Sequence, residues 1–189
     1  MFLLKNKNYF FFFTLLAFFV FFPFQKSEAF CGDGITETAT EACDSPLFSN
    51  VAKIETGTYH SCALTTSGEV YCVGLNDDGQ LGDGTVIQKS TPVQVKGVGG
   101  VGTLTNIAGI STGYRHTCAY TTIGDGGKAY CWGYNLYNGP LGDGTIVNKN
   151  TPVQVKGVGG VGTLTNVIGI SASYTQTCAY TAYGSAYCW

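Results

Sequence analysis

Eight cysteines, two histidines and several aspartates set beside glycines are the residues of this 189-residue chain whose types could do chemistry. Zinc would need Cys and His in close pairs. No Cys-x-x-Cys occurs, and His60 and His116 each stand alone. Asp77-Asp78-Gly79, Asp83 and Asp143 invite a calcium reading. Calcium takes about 6–8 oxygens, and the alternating acidic loop closed by Glu is missing. Asp between glycines is ordinary turn chemistry. The runs Gly97–Gly102 and Gly157–Gly162 (GVGGVG) suggest a phosphate or dinucleotide loop. The glycine spacing is taken as unlike a dinucleotide fingerprint, and neither run is followed by Lys-Ser/Thr or by a helical pattern, so each reads as a connection between blades of a β-fold. No Gly-x-Ser-x-Gly elbow is expected, and no His-Glu-x-x-His and no partnered Ser/His/Asp set appears. The expectation is a chain that is no enzyme and uses no cofactor and no metal.

The chemistry left to the cysteines depends on the compartment. Lys5 and Lys7 precede an apolar run from Tyr9 to Phe22, broken only by Thr14, and Ser27-Glu28-Ala29 follows. That is the layout of a secretory signal peptide cleaved after small residues. The run is shorter than the roughly 20 residues of a membrane span, so residues 1–29 are expected to be removed, leaving no stable membrane span. Mature protein would begin at Phe30, exported to the exterior, the periplasm or the cell surface. All eight Cys lie beyond that point, and an even count in an exported chain reads as disulfides. Removal of the signal lowers Lys plus Arg from 10 to 7 and Asp plus Glu from 12 to 11, leaving −4. With no Lys/Arg cluster to neutralise phosphates, nucleic acid is not an expected partner.

The elements that must position these residues come in repeats. Thr91–Asn106 and Thr151–Asn166 are identical, TPVQVKGVGGVGTLTN. Leu81-Gly82-Asp83-Gly84-Thr85 recurs as Leu141-Gly142-Asp143-Gly144-Thr145, and a third copy opens at Ile170. The repeats are framed as 51–109, 110–169 and a truncated 170–189, after a short Cys-containing segment, 30–50. Short Val/Ile/Thr/Tyr runs separated by Gly, Asn and Asp predict strands. About four runs per repeat make one four-stranded blade of a propeller. Pro92 in the alternating Thr91–Val95 run restricts that run to a strand start or an edge.

Strand pairing then tests the cysteines. If Ser61–Thr65 folds back on Glu69–Val73 around Thr66-Ser67-Gly68, Cys62 faces Cys72. Opposed residues have Cα atoms about 4.5–5.5 Å apart, within disulfide reach. The same register puts Cys178 opposite Cys188, and Cys118 and Cys131 hold the matching positions. Cys31 and Cys43 remain as the fourth pair. They flank a stretch that looks like a short cysteine-rich repeat of exported bacterial proteins.

The pattern Gly57-x-x-His60-x-x-Ala63-Leu64, Gly68-x-Val70-Tyr71-Cys72, Gly74-x-Asn76-x-x-Gly79-Gln80-Leu81-Gly82-x-Gly84 resembles the regulator of chromosome condensation repeat, in an exported bacterial form. The second copy carries His116, Gly133 and Gly142 at the same places. The resemblance implies an all-β propeller, here of about 2.3 repeats, in which His60, His116, Gly74, Gly133, Gly82 and Gly142 are structural motif positions. Val73 departs from Trp132 and Trp189, Pro140 from Gln80, and Gln176 from the histidines. The histidines are expected to hydrogen-bond between strands or to a turn.

The function expected is a non-catalytic, exported binding module whose partner is a protein or a cell-surface polymer. The alternative is an inhibitor or regulator of a secreted enzyme, since the superfamily also includes exported inhibitors of β-lactamase. Guanine nucleotide exchange on a small GTPase, the namesake role, fits poorly with export. A propeller closes only when its last blade meets its first, so the chain is expected to be a stretch of a longer protein or to self-associate. Purified residues 30–189 are accordingly expected to be poorly soluble, partly unfolded or assembled.

Overall fold

A computed structural model describes residues 50–137 and 139–189. The signal segment, its cleavage site and the Cys31–Cys43 pair lie outside the described residues. The fold is all-β. Strands β1 (Val51–Thr56), β2 (His60–Thr65), β3 (Val70–Gly74) and β4 (Lys89–Gln94) form one antiparallel sheet in chain order. β5 (Ile107–Thr112), β6 (His116–Thr121), β7 (Ala129–Gly133) and β8 (Lys149–Gln154) form a second. β9 (Val167–Ala172), β10 (Thr177–Thr181) and β11 (Ala186–Cys188) form a third, of three strands. Each sheet is a meander, the shape of a propeller blade.

Local sequence explains the hairpins. Gly68 takes φ 79 in the turn between β2 and β3, a conformation that glycine adopts without a Cβ penalty. That turn sets Leu64 opposite Val70 and Cys62 opposite Cys72. β4 and β8 are the outermost strands, and each carries its proline (Pro92, Pro152) in a stretch where the register shifts. Pro has no N–H to give to a ladder, so an outer, bulged strand accommodates it. The second and third sheets open at Ile107 and Val167. A repeat frame anchored on Ile110 and Ile170 therefore leaves the first residues of β5 and β9 in the preceding repeat.

The core sits between the sheets. Cys62, Leu64, Val70, Cys72, Leu81, Val95 and Leu104 of the first pack against Ile107, Ile110, Ala119 and Trp132 of the second. A second cluster joins Cys118, Ala129, Cys131, Leu141, Val155 and Leu164 to Val167 and Ala179, with Trp189 packed on it. Both faces of the middle sheet are covered, so its inner strand β5 is largely buried whereas β1 is largely exposed.

Candidate interaction surface

Two side chains per seam tie one sheet to the next. His60 Nε2 lies 2.7 Å from Thr117 Oγ1 across the first seam, and Thr117 Oγ1 donates to the Gln80 carbonyl at 2.9 Å. A hydroxyl has one proton to give. With that proton on the carbonyl, His60 Nε2–H must be the donor. His116 repeats the arrangement with Thr177 (2.9 Å) and the Pro140 carbonyl (2.9 Å) across the second seam. Burial pushes both imidazoles down to about 4, with the charge of His116 as a lesser cause for His60. Nδ1 of each ring is buried without a hydrogen-bond partner and packs beside Gly57 or Gly113. A side chain at Gly57 would collide with the Gly113 carbonyl and crowd the His60 ring, and one at Gly113 would collide with the Ser173 carbonyl and the His116 ring.

The second tie is tryptophan. Trp132 Nε1 donates to the Gln80 carbonyl and Trp189 Nε1 to the Pro140 carbonyl, each at 2.9 Å. The rings lie against Gly82 and Gly142, where an added Cβ would sit 2.7 Å from Nε1. Gly74 and Gly133 end β3 and β7 at positive φ (120 and 103), pressed on the backbone of Tyr59–His60 and Arg115–His116.

The disulfides lie on the same sheets. Cys62–Cys72, Cys118–Cys131 and Cys178–Cys188 are bonded, each with Cα atoms 4.1 Å apart. Asp83 and Asp143 do not assemble an ion site. Each carboxylate is held by its Thr two residues on (Thr85, Thr145), by Asn76 or Asn135, and by Lys89 or Lys149. Among the described residues no cluster of three or more His, Cys, Asp or Glu could hold a metal.

Two sequence patterns need correcting by position. Gly97, Gly99 and Gly102 do satisfy G-x-G-x-x-G, as do Gly157, Gly159 and Gly162. Glycine spacing therefore does not dismiss a dinucleotide loop, but the structure does. Each run is a short 3-10 turn pinched by a bridge, Lys96 to Thr103 or Lys156 to Thr163, with no helix after it to face a phosphate. Gly109-Ile110-Ser111-Thr112-Gly113 has the spacing of a nucleophile elbow, a match hidden inside the repeat. It lies in extended strand β5, where Ser111 is buried and accepts the Ala172 N–H at 2.9 Å.

The exposed chemistry is aromatic. The turns that follow β1, β5 and β9 stand side by side and present Tyr59, Tyr114 and Tyr174. Tyr59 and Tyr114 meet edge to face at 5.2 Å, and Tyr114 and Tyr174 lie tilted at 4.3 Å. Tyr174 is 63% exposed and Tyr59 46%. Hydrogen bonds to Tyr59 and Tyr174 hold the Tyr114 hydroxyl below its ordinary value, and the bond to Tyr114 raises each of the others. Arg115 lies over Tyr59 and Tyr114, 5.4 and 5.7 Å from the ring centres, and pairs with Asp78 at 2.7 Å. Asn148 donates to the other Asp78 oxygen at 2.8 Å. A hollow of about 320 Å³ opens beside the row, lined by Thr56, Thr58, Thr112, Gly113 and Ser173 with the two outer turns. The repeat pattern singled out the neighbouring glycine and histidine but not these residues. Their signal was the aromatic in each copy just ahead of the His or Gln.

Comparison with known proteins agrees with this architecture. The regulator of chromosome condensation (RCC1) repeat profile matches residues 67–120 and 126–180, and a second profile of the same repeat matches 51–80. The matched repeats 67–120 and 126–180 each run from one sheet into the next, because β3 to β6 and β7 to β10 fall inside them. Similar proteins include the Arabidopsis thaliana ultraviolet-B receptor UVR8, 28% identical over 84% of this chain and 33% of its own length. The Mus musculus regulator of chromosome condensation is 34% identical over 59% of this chain and 25% of its own length. Among solved structures, human WBSCR16 superposes with a TM-score of 0.61 at 28% identity, over 75% of this chain and 33% of that one. Yeast RCC1 (Prp20) bound to Kap60 gives 0.57 at 22% identity, over 76% of this chain and 30% of that one. The chain thus spans about a third or less of the length of these relatives.

Proposed function

The chain belongs to the regulator of chromosome condensation repeat family, and from that premise we propose that it is an exported interaction module. Its contact surface is the turn face of Tyr59, Tyr114, Tyr174 and Arg115, and its partner is a protein. The observation that carries this reading is the three-tyrosine row, exposed at Tyr59 and Tyr174, with an arginine lying over two of its rings. Tyr and Arg dominate the residues whose truncation weakens protein complexes, because they bring large apolar area and fixed polar groups at small entropy cost. Asp78 and Asn148 hold Arg115 in place, so little is lost in ordering it on contact. Export is supported by the signal-like first residues and by three disulfides, which persist in oxidising compartments. Among the described residues, the histidines are buried, Asp83 and Asp143 are tied to their own turns and Ser111 lies within a strand, which supports a binding reading of this face.

Inhibition of a secreted enzyme is a special case of the same surface reading, and exchange on a GTPase requires an intracellular partner. The test is crosslinking of the full chain on producing cells, with wild type beside a Tyr59→Ser/Tyr174→Ser variant. A partner captured by wild type and lost in the variant at unchanged melting temperature supports the turn face. Equal capture by both overturns it. A captured enzyme whose activity falls on binding selects the inhibitor form.

A further inference from the structure

Each of the first two sheets is followed by the same loop. Thr91–Asn106 and Thr151–Asn166 are identical, whereas exposed positions just upstream differ, as Val86-Ile87-Gln88 does from Ile146-Val147-Asn148. In each copy a bridge, Lys96 to Thr103 or Lys156 to Thr163, closes a turn of glycines and valines. The turn stands clear of the body, because an added Cβ at Gly99, Gly102, Gly159, Gly160 or Gly162 would meet nothing within 4 Å. Val101 is 82% exposed and Val161 79%, with Val98 and Val158 exposed beside them. The sheet of Val101 has another sheet after it and that of Val161 has one before it, yet the two valines are bare to the same degree. Neither neighbour therefore covers the tip. Gln94 pairs with Tyr71 and the Val95 N–H reaches the Val70 carbonyl, so the loop leaves the Gly68 end of its sheet. The Tyr59 turn is at the other end, where Gly74 pairs with Lys89. The connections at the valine end carry Lys96, Lys128 and Lys156 against Glu69 and Asp125. Lys96 and Lys156 are exposed, and among the described residues neither pairs with a carboxylate.

We propose that these two loops are contact points for an anionic lipid surface, in which Val98, Val101, Val158 and Val161 enter the outer acyl region while Lys96 and Lys156 meet the phosphates. Exposed apolar groups that no part of the fold covers mark contacts with proteins or membranes, and shape decides between the two here. A protruding tip suits a folded partner only where that partner offers a hollow. Two identical tips would need two identical hollows at the spacing of the sheets. A bilayer is the same everywhere and yields to a tip, so it meets both loops without matching their shape. Charge points the same way. The lysine closing each loop stands at the headgroup level when the valines are submerged, and a basic residue there is attracted by anionic lipid. Two valines on one loop hold weakly. A second loop on the same stack of sheets makes its own contact intramolecular and multiplies the affinity. The tyrosine turns lie at the other end of the strands, so a protein partner can be held there while the valine end rests on lipid. Either reading can therefore fail alone.

The experiment mixes the full-length chain with vesicles of phosphatidylcholine alone, or of phosphatidylcholine and phosphatidylglycerol in equal parts. Hydrogen exchange is expected to slow in Gly97–Gly102 and Gly157–Gly162 on the anionic vesicles, and to stay unchanged at Tyr59 and Tyr174. The readout is local because the apolar run Tyr9–Phe22 can hold the chain to lipid by itself. Replacing both exposed tips, Val101→Ser/Val161→Ser, should weaken the loop contact about tenfold at an unchanged melting temperature. Lys96→Gln/Lys156→Gln should also weaken it about tenfold at low salt, and high salt should remove that difference. Unslowed exchange on the anionic vesicles, equal slowing on both kinds of vesicle, or equal slowing in wild type and the valine variant overturns the proposal. So does slowing that grows with protein concentration in the absence of vesicles, since a second copy would then be the occupant.

Discussion

The first seam, between β1–β4 and β5–β8, and the second, between β5–β8 and β9–β11, are built on the same ties but not to the same depth. Both have a Trp donating to the residue before a Leu-Gly pair, and both have a His donating to a Thr that donates onward to that same carbonyl. The first adds three features. Trp132 is fully buried whereas Trp189 is only partly so. Asn150 rests on Gly79 and exchanges hydrogen bonds with Gly84 of the preceding sheet. Arg115 and Asn148 of the second sheet clasp Asp78 of the first. The ties shared by both seams set the stacking of sheet on sheet. Gln80, with Pro140 opposite it in the second seam, shows how little the side chain there matters to the tie. The bonds to Trp and Thr use only its carbonyl, which proline also has.

The largest test of this contrast is Trp132→Ala against Trp189→Ala. Loss of Trp132 should cost about 3–5 kcal/mol, as for a fully buried aromatic, and loss of Trp189 clearly less. Equal effects by denaturant titration would mean that Trp189 is covered in solution as deeply as Trp132. Next is removal of Cys118 and Cys131 together, which should cost about 2–3 kcal/mol for the small loop they close. Melting under non-reducing conditions checks it.

Acid should act on both seams. Each histidine is neutral in the fold with its pKa depressed to about 4, against an ordinary 6.5 when unfolded. The unfolded chain therefore takes up protons first. Stability is full above about 6.5 and falls by up to about 1.4 kcal/mol per pH unit per histidine down to about 4. His116→Gln, which copies Gln176, should flatten roughly half of that slope, and a melting series across this window reads it. An unchanged slope would mean that the His116–Thr177 tie is not intact in solution. The smallest effect is expected for Asp78→Asn. A partly exposed ion pair contributes about 1 kcal/mol or less, so melting should barely move while Arg115 is released from its place over Tyr59. A loss of several kcal/mol would move this pair from the surface to the structural side of the comparison.

How much of this was legible in advance follows from distance along the chain. The hairpins were readable because Gly68 at its turn and the Cys62–Cys72 spacing act over about ten residues, and strand alternation carries the register outward. The prolines in β4 and β8 were readable as edge markers for the same local reason. Glycine spacing decided nothing in Gly97–Gly102, because a fingerprint specifies residue types and not whether a helix follows.

The sequence alone determined that the chain is a repeated β-meander, with cysteines opposed inside each hairpin and with His and Gly at fixed places. Those are choices among neighbours, settled by turn geometry and by which face of a strand each residue takes. Only the tertiary structure decided what each repeat touches in the next. His60 meets Thr117 from 57 positions away, Trp132 meets the Gln80 carbonyl from 52, and Tyr59, Tyr114 and Tyr174 become one row. Each of these depends on how far one sheet is turned and slid against its neighbour. That offset is set by the summed packing of two whole faces, so no single spacing in the sequence records it.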